Sequence, residues 1–288
     1  MAPSLGELLH WGKDSLKAAG IDDFEISAEL LLRSLLCMER SQFLLSKKDT
    51  VDQGTCAKYQ DLVVQRSLHV PLQYLTGWVE FYSLKLKIDG RALIPRPETE
   101  ILVDTAIRKL IGISSPAILD IGTGSGNIAI AMAKNVPGSR VTANDVSGEA
   151  LELARMNAEL NGVTDNIRWI MGDIMNGKYA RSLGLYDCVV SNPPYVSEKD
   201  KDKLQPEVVK FEPKAALFVG DDPLIFFKTI MSNIVYILKP GGLLAFEVGI
   251  GQALAVSDLM KADFRNIEVV KDLAGIDRVV IGIYAGTR

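Results

Sequence analysis

Apolar positions three and four apart dominate the first quarter of the chain, and longer apolar runs spaced by amphipathic stretches dominate the rest. From Ser4 to about Val70, Leu30, Leu31, Leu35 and Leu36, and then Tyr59, Leu62, Val63 and Arg66, keep the spacing of helices that bury one face. Asp22-Asp23 and Asp49-Thr50 predict helix starts, and Gly20 predicts the end of the helix before them. Through Gln73-Tyr74-Leu75-Thr76-Gly77 and then Phe81-Tyr82-Ser83-Leu84-Lys85-Leu86-Lys87-Ile88 the period shortens to two. Asp89-Gly90 follows as a turn signal and Ala92-Leu93-Ile94 as a further short strand.

From there strands and helices alternate: strand 117–121, helix 127–135, strand 140–144, helix 147–161, strands 167–171 and 187–190, helix 224–238 and strand 243–248. Strands joined through helices need crossover connections, so a mostly parallel sheet with helices on both faces is expected. Residues 267–271 and 278–283, around Leu273-Ala274-Gly275, predict a terminal antiparallel hairpin. The expected fold class is α/β, preceded by a small α-helical domain. Its expected bounds are 1–72 for the helical domain, 73–95 for a β-hairpin linker and 96–288 for the α/β domain.

Bulk properties narrow the class without choosing a chemistry. Over 288 residues, 48% hydrophobic and 24% charged composition is that of an ordinary globular protein of roughly two domains. The longest apolar candidate, 225–238, is interrupted by Lys228 and Asn233, so no membrane span is expected. The N-terminal stretch carries Glu7, Lys13 and Asp14 instead of the apolar core of a leader, and cytoplasmic residence is expected. Cys37, Cys56 and Cys188 form no C-x-x-C pair and His10 and His69 are the only imidazoles, so neither a disulfide framework nor a metal site is expected. Lys and Arg total 32 against 36 Asp and Glu, a net charge of −4, whereas gripping long nucleic acid by its phosphates favours a basic protein. A protein partner is expected, with no direct nucleic acid and no membrane.

Candidate chemistry sits at the predicted strand ends. Leu119-Asp120-Ile121-Gly122-Thr123-Gly124-Ser125-Gly126 places a glycine-rich turn after the first strand of the α/β domain, the edge where open doubly wound sheets bind ligands. The glycines stand at 122, 124 and 126 and position 127 is Asn, which departs from the G-x-G-x-x-G pyrophosphate fingerprint. Asp145 ends the next strand, where a carboxylate can accept hydrogen bonds from ribose hydroxyls; the plainer alternative is a helix cap. Asp173 and Ile174 follow the third strand, suited to an adenine amino group and its ring, with a surface turn as the alternative. Together these describe an adenosine pocket without a pyrophosphate grip, the shape of S-adenosylmethionine.

The most specific stretch is Asn192-Pro193-Pro194-Tyr195, directly after Tyr186 to Ser191. Neither proline has an N–H, both fix φ, and Pro193 holds Asn192 extended, so the turn is stiff and rich in acceptors. Asn192 can offer its side-chain oxygen, Pro193 its carbonyl and Tyr195 a flat face, a combination that suits a planar NH₂ group. A turn that merely ends a strand is the plain alternative.

The chain resembles the bacterial PrmC/HemK glutamine N5-methyltransferases of class 1 peptide-chain release factors. The resemblance runs through Gln73 to Gly77, Ile94-Pro95-Arg96-Pro97-Glu98-Thr99-Glu100, Leu119 to Gly126, Ser191 to Tyr195, Phe211-Glu212-Pro213, Glu247-Val248-Gly249 with Gln252, and Asp272 to Gly275 with Arg278. It implies a Rossmann-like class I methyltransferase domain with a mostly parallel seven-stranded sheet, and a target glutamine in a Gly-Gly-Gln loop. It implies that Gly122, Thr123, Gly124, Ser125, Gly126, Asp145, Asp173, Ile174 and Asn192 hold S-adenosylmethionine, and that Asn192, Pro193, Pro194 and Tyr195 hold the glutamine. Asn192 and Pro193 are the expected catalytic residues, the helical domain is expected to grip the release factor, and the enzyme is expected to be a monomer. Ser83 and Pro223 depart from the family, which often has Gly there. The competing expectation is a nucleic-acid amine methyltransferase, because an exocyclic N6 or N2 amine of a flipped base presents the same donors.

Overall fold

The computed structural model describes residues 2–286; Met1, Thr287 and Arg288, which the expected bounds of 1 and 288 include, lie outside the described residues. The chain separates into two compact units, residues 1–78 with 205–211, and residues 79–204 with 212–288.

In the first unit, helices α1 (Leu5–Ala18), α2 (Phe24–Leu36), α3 (Arg40–Leu45), α4 (Gln53–Ser67) and α5 (Leu72–Thr76) enclose a core of Leu16, Leu31, Leu32, Phe43 and Tyr59. Ser4 starts α1 with a capping box, its hydroxyl accepting from the Glu7 N–H while Glu7 accepts from the Ser4 N–H at 2.7 Å. The start expected at Asp49-Thr50 lies three residues on: Asp52 caps α4 by accepting from the Thr55 N–H at 3.0 Å. Arg66, counted on the apolar stripe, is indeed buried, its guanidinium bonded to Ser27 Oγ, Asp23 and the Val70 carbonyl.

The chain continues through β1 (Trp78–Phe81), β2 (Leu84–Lys87), α6 (Thr99–Leu110), β3 (Ala117–Ile121), α7 (Asn127–Asn135), β4 (Arg140–Asp145), α8 (Gly148–Leu160), β5 (Ile167–Met171), α9 (Gly177–Ser182), β6 (Tyr186–Ser191), α10 (Pro206–Phe211), α11 (Ile225–Ser232), α12 (Ile234–Ile237), β7 (Leu238–Glu247), α13 (Ala253–Met260), β8 (Phe264–Lys271) and β9 (Asp277–Tyr284). Helix α10 belongs to the first unit, where Arg66 pairs with Glu207.

Seven strands form one sheet in the order β5-β4-β3-β6-β7-β9-β8, parallel from β5 to β7 and antiparallel at β9 and β8. Both faces are covered, which is why its strands read as unbroken apolar runs. Ile118, Val190 and Ala245 pack on one side with α6 and α7; Leu119, Val189 and Phe246 pack on the other with α11 to α13. The sequence neighbours of β3 lie on its left as β4 and β5 and those that follow lie on its right as β6 and β7, so the order reverses between β3 and β6. That reversal opens a crevice at the C-terminal strand ends.

Four expectations are corrected. Residues 73–76 belong to helix α5 and not to a two-residue alternation. The hairpin of β1 and β2 turns at Tyr82-Ser83, both at positive φ of 50° and 60°, not at Asp89-Gly90. Residues 92–94 form no strand and run as irregular chain. The expected helix 224–238 is split at Asn233, whose side chain turns back to the Thr229 carbonyl at 2.9 Å, and Leu238 already belongs to β7.

Candidate active site

Gly122, Gly124 and Gly126 all sit at positive φ, 73°, 53° and 84°, a path that L side chains resist. The turn is held from beneath by Asp120, fully buried, which accepts from Thr123 Oγ1 at 2.6 Å and from the Ala129 N–H at the start of α7 at 3.1 Å. Burial pushes the Asp120 carboxyl up to about 7 against the help of those two hydrogen bonds. A Cβ on Gly122 would meet open space, whereas one on Gly126 would come within 3.0 Å of Ala154 Cβ. The first glycine leaves a ligand room and the last lets α7 and α8 pack.

A cavity of about 300 Å³ opens over the strand ends, a size usual for small-molecule sites. Gly122, Gly124, Asp145, Asp173, Ile174, Asn192, Pro193 and Pro194 lie on its wall. Thr123, Ser125 and Gly126 do not: the Thr123 hydroxyl is spent on Asp120, and Ser125 is buried with its carbonyl accepting from Asn157 at 2.9 Å. Asp145 accepts from the Gly124 N–H at 2.8 Å and the Ser147 N–H at 2.9 Å, one on each oxygen, which fixes its plane and leaves further lone pairs. Ser147 is the cap of α8, accepting from the Ala150 N–H at 3.1 Å, so Asp145 is spared that duty. Asp173 is exposed and turns one oxygen to the Met175 N–H at 2.8 Å, while Ile174 is buried beneath it.

A smaller pocket of about 50 Å³ adjoins the first and shares Leu93, Asn192, Pro193, Pro194 and Ala216 with it. Arg96, Tyr195, Val196, Leu217 and Glu247 complete its wall. Asn192 Nδ2 donates to Thr99 Oγ1 at 3.2 Å, which leaves Oδ1 as the free acceptor of that carboxamide. The Tyr195 carbonyl accepts from Gln252 Nε2 at 3.1 Å, and Gln252 Oε1 accepts from the Gly249 N–H at 3.0 Å, so the turn after β6 is tied to the turn after β7. Arg96 pairs with Glu212, whose other oxygen accepts from the Ile94 N–H at 3.2 Å; Arg96 therefore braces the loop across the mouth. Glu100 accepts from the Tyr82 N–H at 2.8 Å and supports the hairpin turn. Among the described residues no group of His, Cys, Asp and Glu is arranged to hold a metal ion, and no helix is long and apolar enough to cross a membrane.

Family models match two stretches of the chain. Residues 7–77 match the PrmC N-terminal domain and residues 97–216 the methyltransferase small domain. A release factor glutamine methyltransferase of Chlorobaculum tepidum is 38% identical over 90% of this chain and 90% of its own. One of Deinococcus radiodurans is 36% identical over 98% of this chain and 99% of its own. The chain belongs to the release factor glutamine methyltransferase family. Among solved structures, a methyltransferase from Pyrococcus furiosus aligns with a TM-score of 0.50 at 22% identity, over 70% of this chain and 89% of its own. The hMettl16 catalytic domain, in complex with an RNA hairpin of the MAT2A 3′UTR, aligns with a TM-score of 0.55 at 15% identity, over 82% and 83%. Both likenesses concern the fold.

Around the two pockets of this family member, Thr99, Glu212, Glu247 and Gln252 hold positions to which sequence spacing assigns no role. Thr99 lies between two glutamates, whereas Glu212, Glu247 and Gln252 are each set among apolar, glycine or proline neighbours, and Glu247 closes the apolar run from Leu243 to Phe246. That contrast is the signal that marks the last three. Their partners lie far along the chain, which is why spacing alone assigns them nothing.

Proposed function

We propose that this protein methylates the side-chain amide nitrogen of the glutamine in the Gly-Gly-Gln loop of class 1 release factors, using S-adenosylmethionine. The observation that carries the reading is the orientation of Asn192: one N–H of its carboxamide is donated to Thr99, which leaves Oδ1 as an acceptor for a substrate carboxamide. The larger cavity fits the cofactor. It offers open space over Gly122, a fixed carboxylate at Asp145 for ribose hydroxyls, Asp173 for an adenine amino group and Ile174 beneath the ring. When bound, S-adenosylmethionine supplies a sulfonium methyl, a carbon activated toward nucleophiles.

An amide nitrogen is a poor nucleophile because its lone pair is shared with the carbonyl, so orientation must supply much of the rate. Asn192 Oδ1 and the Pro193 carbonyl each accept one N–H of the glutamine amide, with the Tyr195 ring completing the pocket. This holds the nitrogen aimed out of the small pocket toward the larger one and raises electron density on it. Fixing two reactants in a productive arrangement can lower a barrier by up to about 7 to 11 kcal/mol. As the methyl is gained, one amide N–H proton passes to water, which keeps the product a neutral secondary amide. The helical first unit grips the body of the release factor, since one side chain offers too little contact to select a protein. That partner places a monomeric enzyme in the cytoplasm.

Mass spectrometry of a purified class 1 release factor, before and after incubation with enzyme and cofactor, tests the reading. The expected result is one added methyl group on the Gly-Gly-Gln glutamine. Labelled methyl appearing in RNA or DNA, and none in the release factor, would overturn it in favour of amine methylation on a base.

A further inference from the structure

A carboxamide has a donor end and an acceptor end, and a hydroxyl has a single proton, so a chain of such groups has a direction. Thr99, 1% exposed at the start of α6, accepts from Asn192 Nδ2 on one side. On the other side Glu247, 2% exposed at the end of β7, has its charged form favoured by the Thr99 and Tyr195 hydroxyls. A carboxylate can only accept. While Glu247 is ionised, the one Thr99 proton is committed to it, and only a lone pair remains to face Asn192. Asn192 must then turn its NH₂ toward Thr99 and its Oδ1 toward the pocket. Glu247 itself lies on the wall of the same small pocket, with Oε2 buried and unpartnered.

We infer that Glu247, acting through the Thr99 hydroxyl, is the positioning residue that sets which end of the Asn192 carboxamide meets the substrate amide. The inference rests on the role proposed for Asn192. Once protonated, Glu247 can donate to Thr99 Oγ1, which frees the Thr99 proton for Asn192 Oδ1. The carboxamide can then turn over and confront the substrate NH₂ with an NH₂ of its own.

The charged and titratable groups facing Glu247 set where this happens. Burial raises its carboxyl to about 7, Glu98 at the start of α6 pushes the same way, and Arg278 on β9 and the Thr99 and Tyr195 hydroxyls oppose. Arg278 is itself bound to Asp272 at 2.9 Å, which dilutes its pull, and Arg96 lies on the same pocket wall, engaged with Glu212. Because the ionised form orders the pocket, activity should rise with pH through that range.

Steady-state methylation of the release factor by the full-length enzyme, from about pH 6 to pH 8.5, reads this directly. Wild-type kcat is expected to climb through about 7 and level off, with cofactor KM little changed. Glu247→Gln, whose side chain can donate or accept, is expected to lower kcat at pH 8 by roughly 10-fold or more, a loss of the size seen for a mis-set hydrogen bond in a transition state. It is also expected to flatten the climb. Thr99→Val should match that loss, the double variant should lose no more than either alone, and Thr99→Ser should restore most of the rate. A kcat unchanged in both Glu247→Gln and Thr99→Val, or losses that multiply in the double variant, would overturn the inference. If Asn192→Ala methylates as fast as wild type, the reading of the pocket fails instead; if Asn192→Ala is dead while the Glu247 and Thr99 variants are normal, only this inference fails.

Discussion

Asp120 supports the glycine turn from a fully buried site: Oδ2 holds Thr123 and the Ala129 N–H, and Oδ1 has no partner among the described residues. Its carboxyl is raised to about 7 in the fold, against about 3.9 in an unfolded chain, so its contribution to stability is complete below the unfolded value and is lost as pH rises through the folded one. Denaturant unfolding at pH 5 and pH 8 should show wild type losing more stability over that interval than Asp120→Asn, which has no charge to bury. Asn192→Ala, measured with release factor and cofactor, should lower kcat by about 100- to 1000-fold, the range for deleting one preorganised polar group at a reacting centre, while cofactor affinity stays within a few-fold. Residues whose chemistry is local were legible in the sequence. Asn192 was one, because two prolines fix its backbone; Asp145 was another, because a strand delivers it. Thr99 and Glu247 were not, because each acts through a partner more than ninety positions away in one direction, and no local pattern encodes that meeting.

Elements meet at single side chains that satisfy several backbones. Asn157 on α8 is fully buried, accepts from the Lys87 N–H at 2.7 Å, and donates to the Lys87 carbonyl at 3.0 Å and the Ser125 carbonyl at 2.9 Å. It thereby ties the end of β2 to the glycine turn. Asn157→Ala leaves all three groups without that partner and should cost about 3 kcal/mol or more, with weaker cofactor binding by calorimetry. The same change at Asn161, whose bond to the Lys85 carbonyl is exposed, should cost under about 1 kcal/mol. At the hairpin turn, Ser83 holds φ of 60° without being glycine. Ser83→Gly should stabilise the protein by about 0.5 to 1 kcal/mol in denaturant titrations, by relieving the left-handed penalty less the added chain entropy. The strands were read to within a residue or a few because burial on both faces leaves continuous apolar runs. The turn was misread because Asp89-Gly90 carries the stronger local signal, yet Tyr82-Ser83 is where the two strands can pair and pack.

At the scale of the molecule, Arg66 shows how the chain is organised beyond its linear order. Its guanidinium holds Asp23, Ser27, the Val70 carbonyl and Glu207, so a segment more than a hundred residues downstream is built into the first unit. Arg66→Met should destabilise that unit by about 1 to 2 kcal/mol, since it removes the bonds to buried Ser27 and the pairs with the partly exposed Asp23 and Glu207, and should expose residues 205–211 to limited proteolysis. Cofactor binding should survive, because every wall residue of the cavity lies in the other unit.

The sequence by itself determined the α/β class, the helical preface, the strand ends and the stiff acceptor turn, because apolar periodicity, glycine freedom and proline geometry act over a few neighbouring residues. Only the tertiary structure decided which glycines line the cavity, that Arg96 pairs with Glu212, and that the Asn192 carboxamide meets Thr99. Those outcomes depend on how burial and hydrogen bonding are shared among residues distant in the chain, and burial is a property of the folded packing alone.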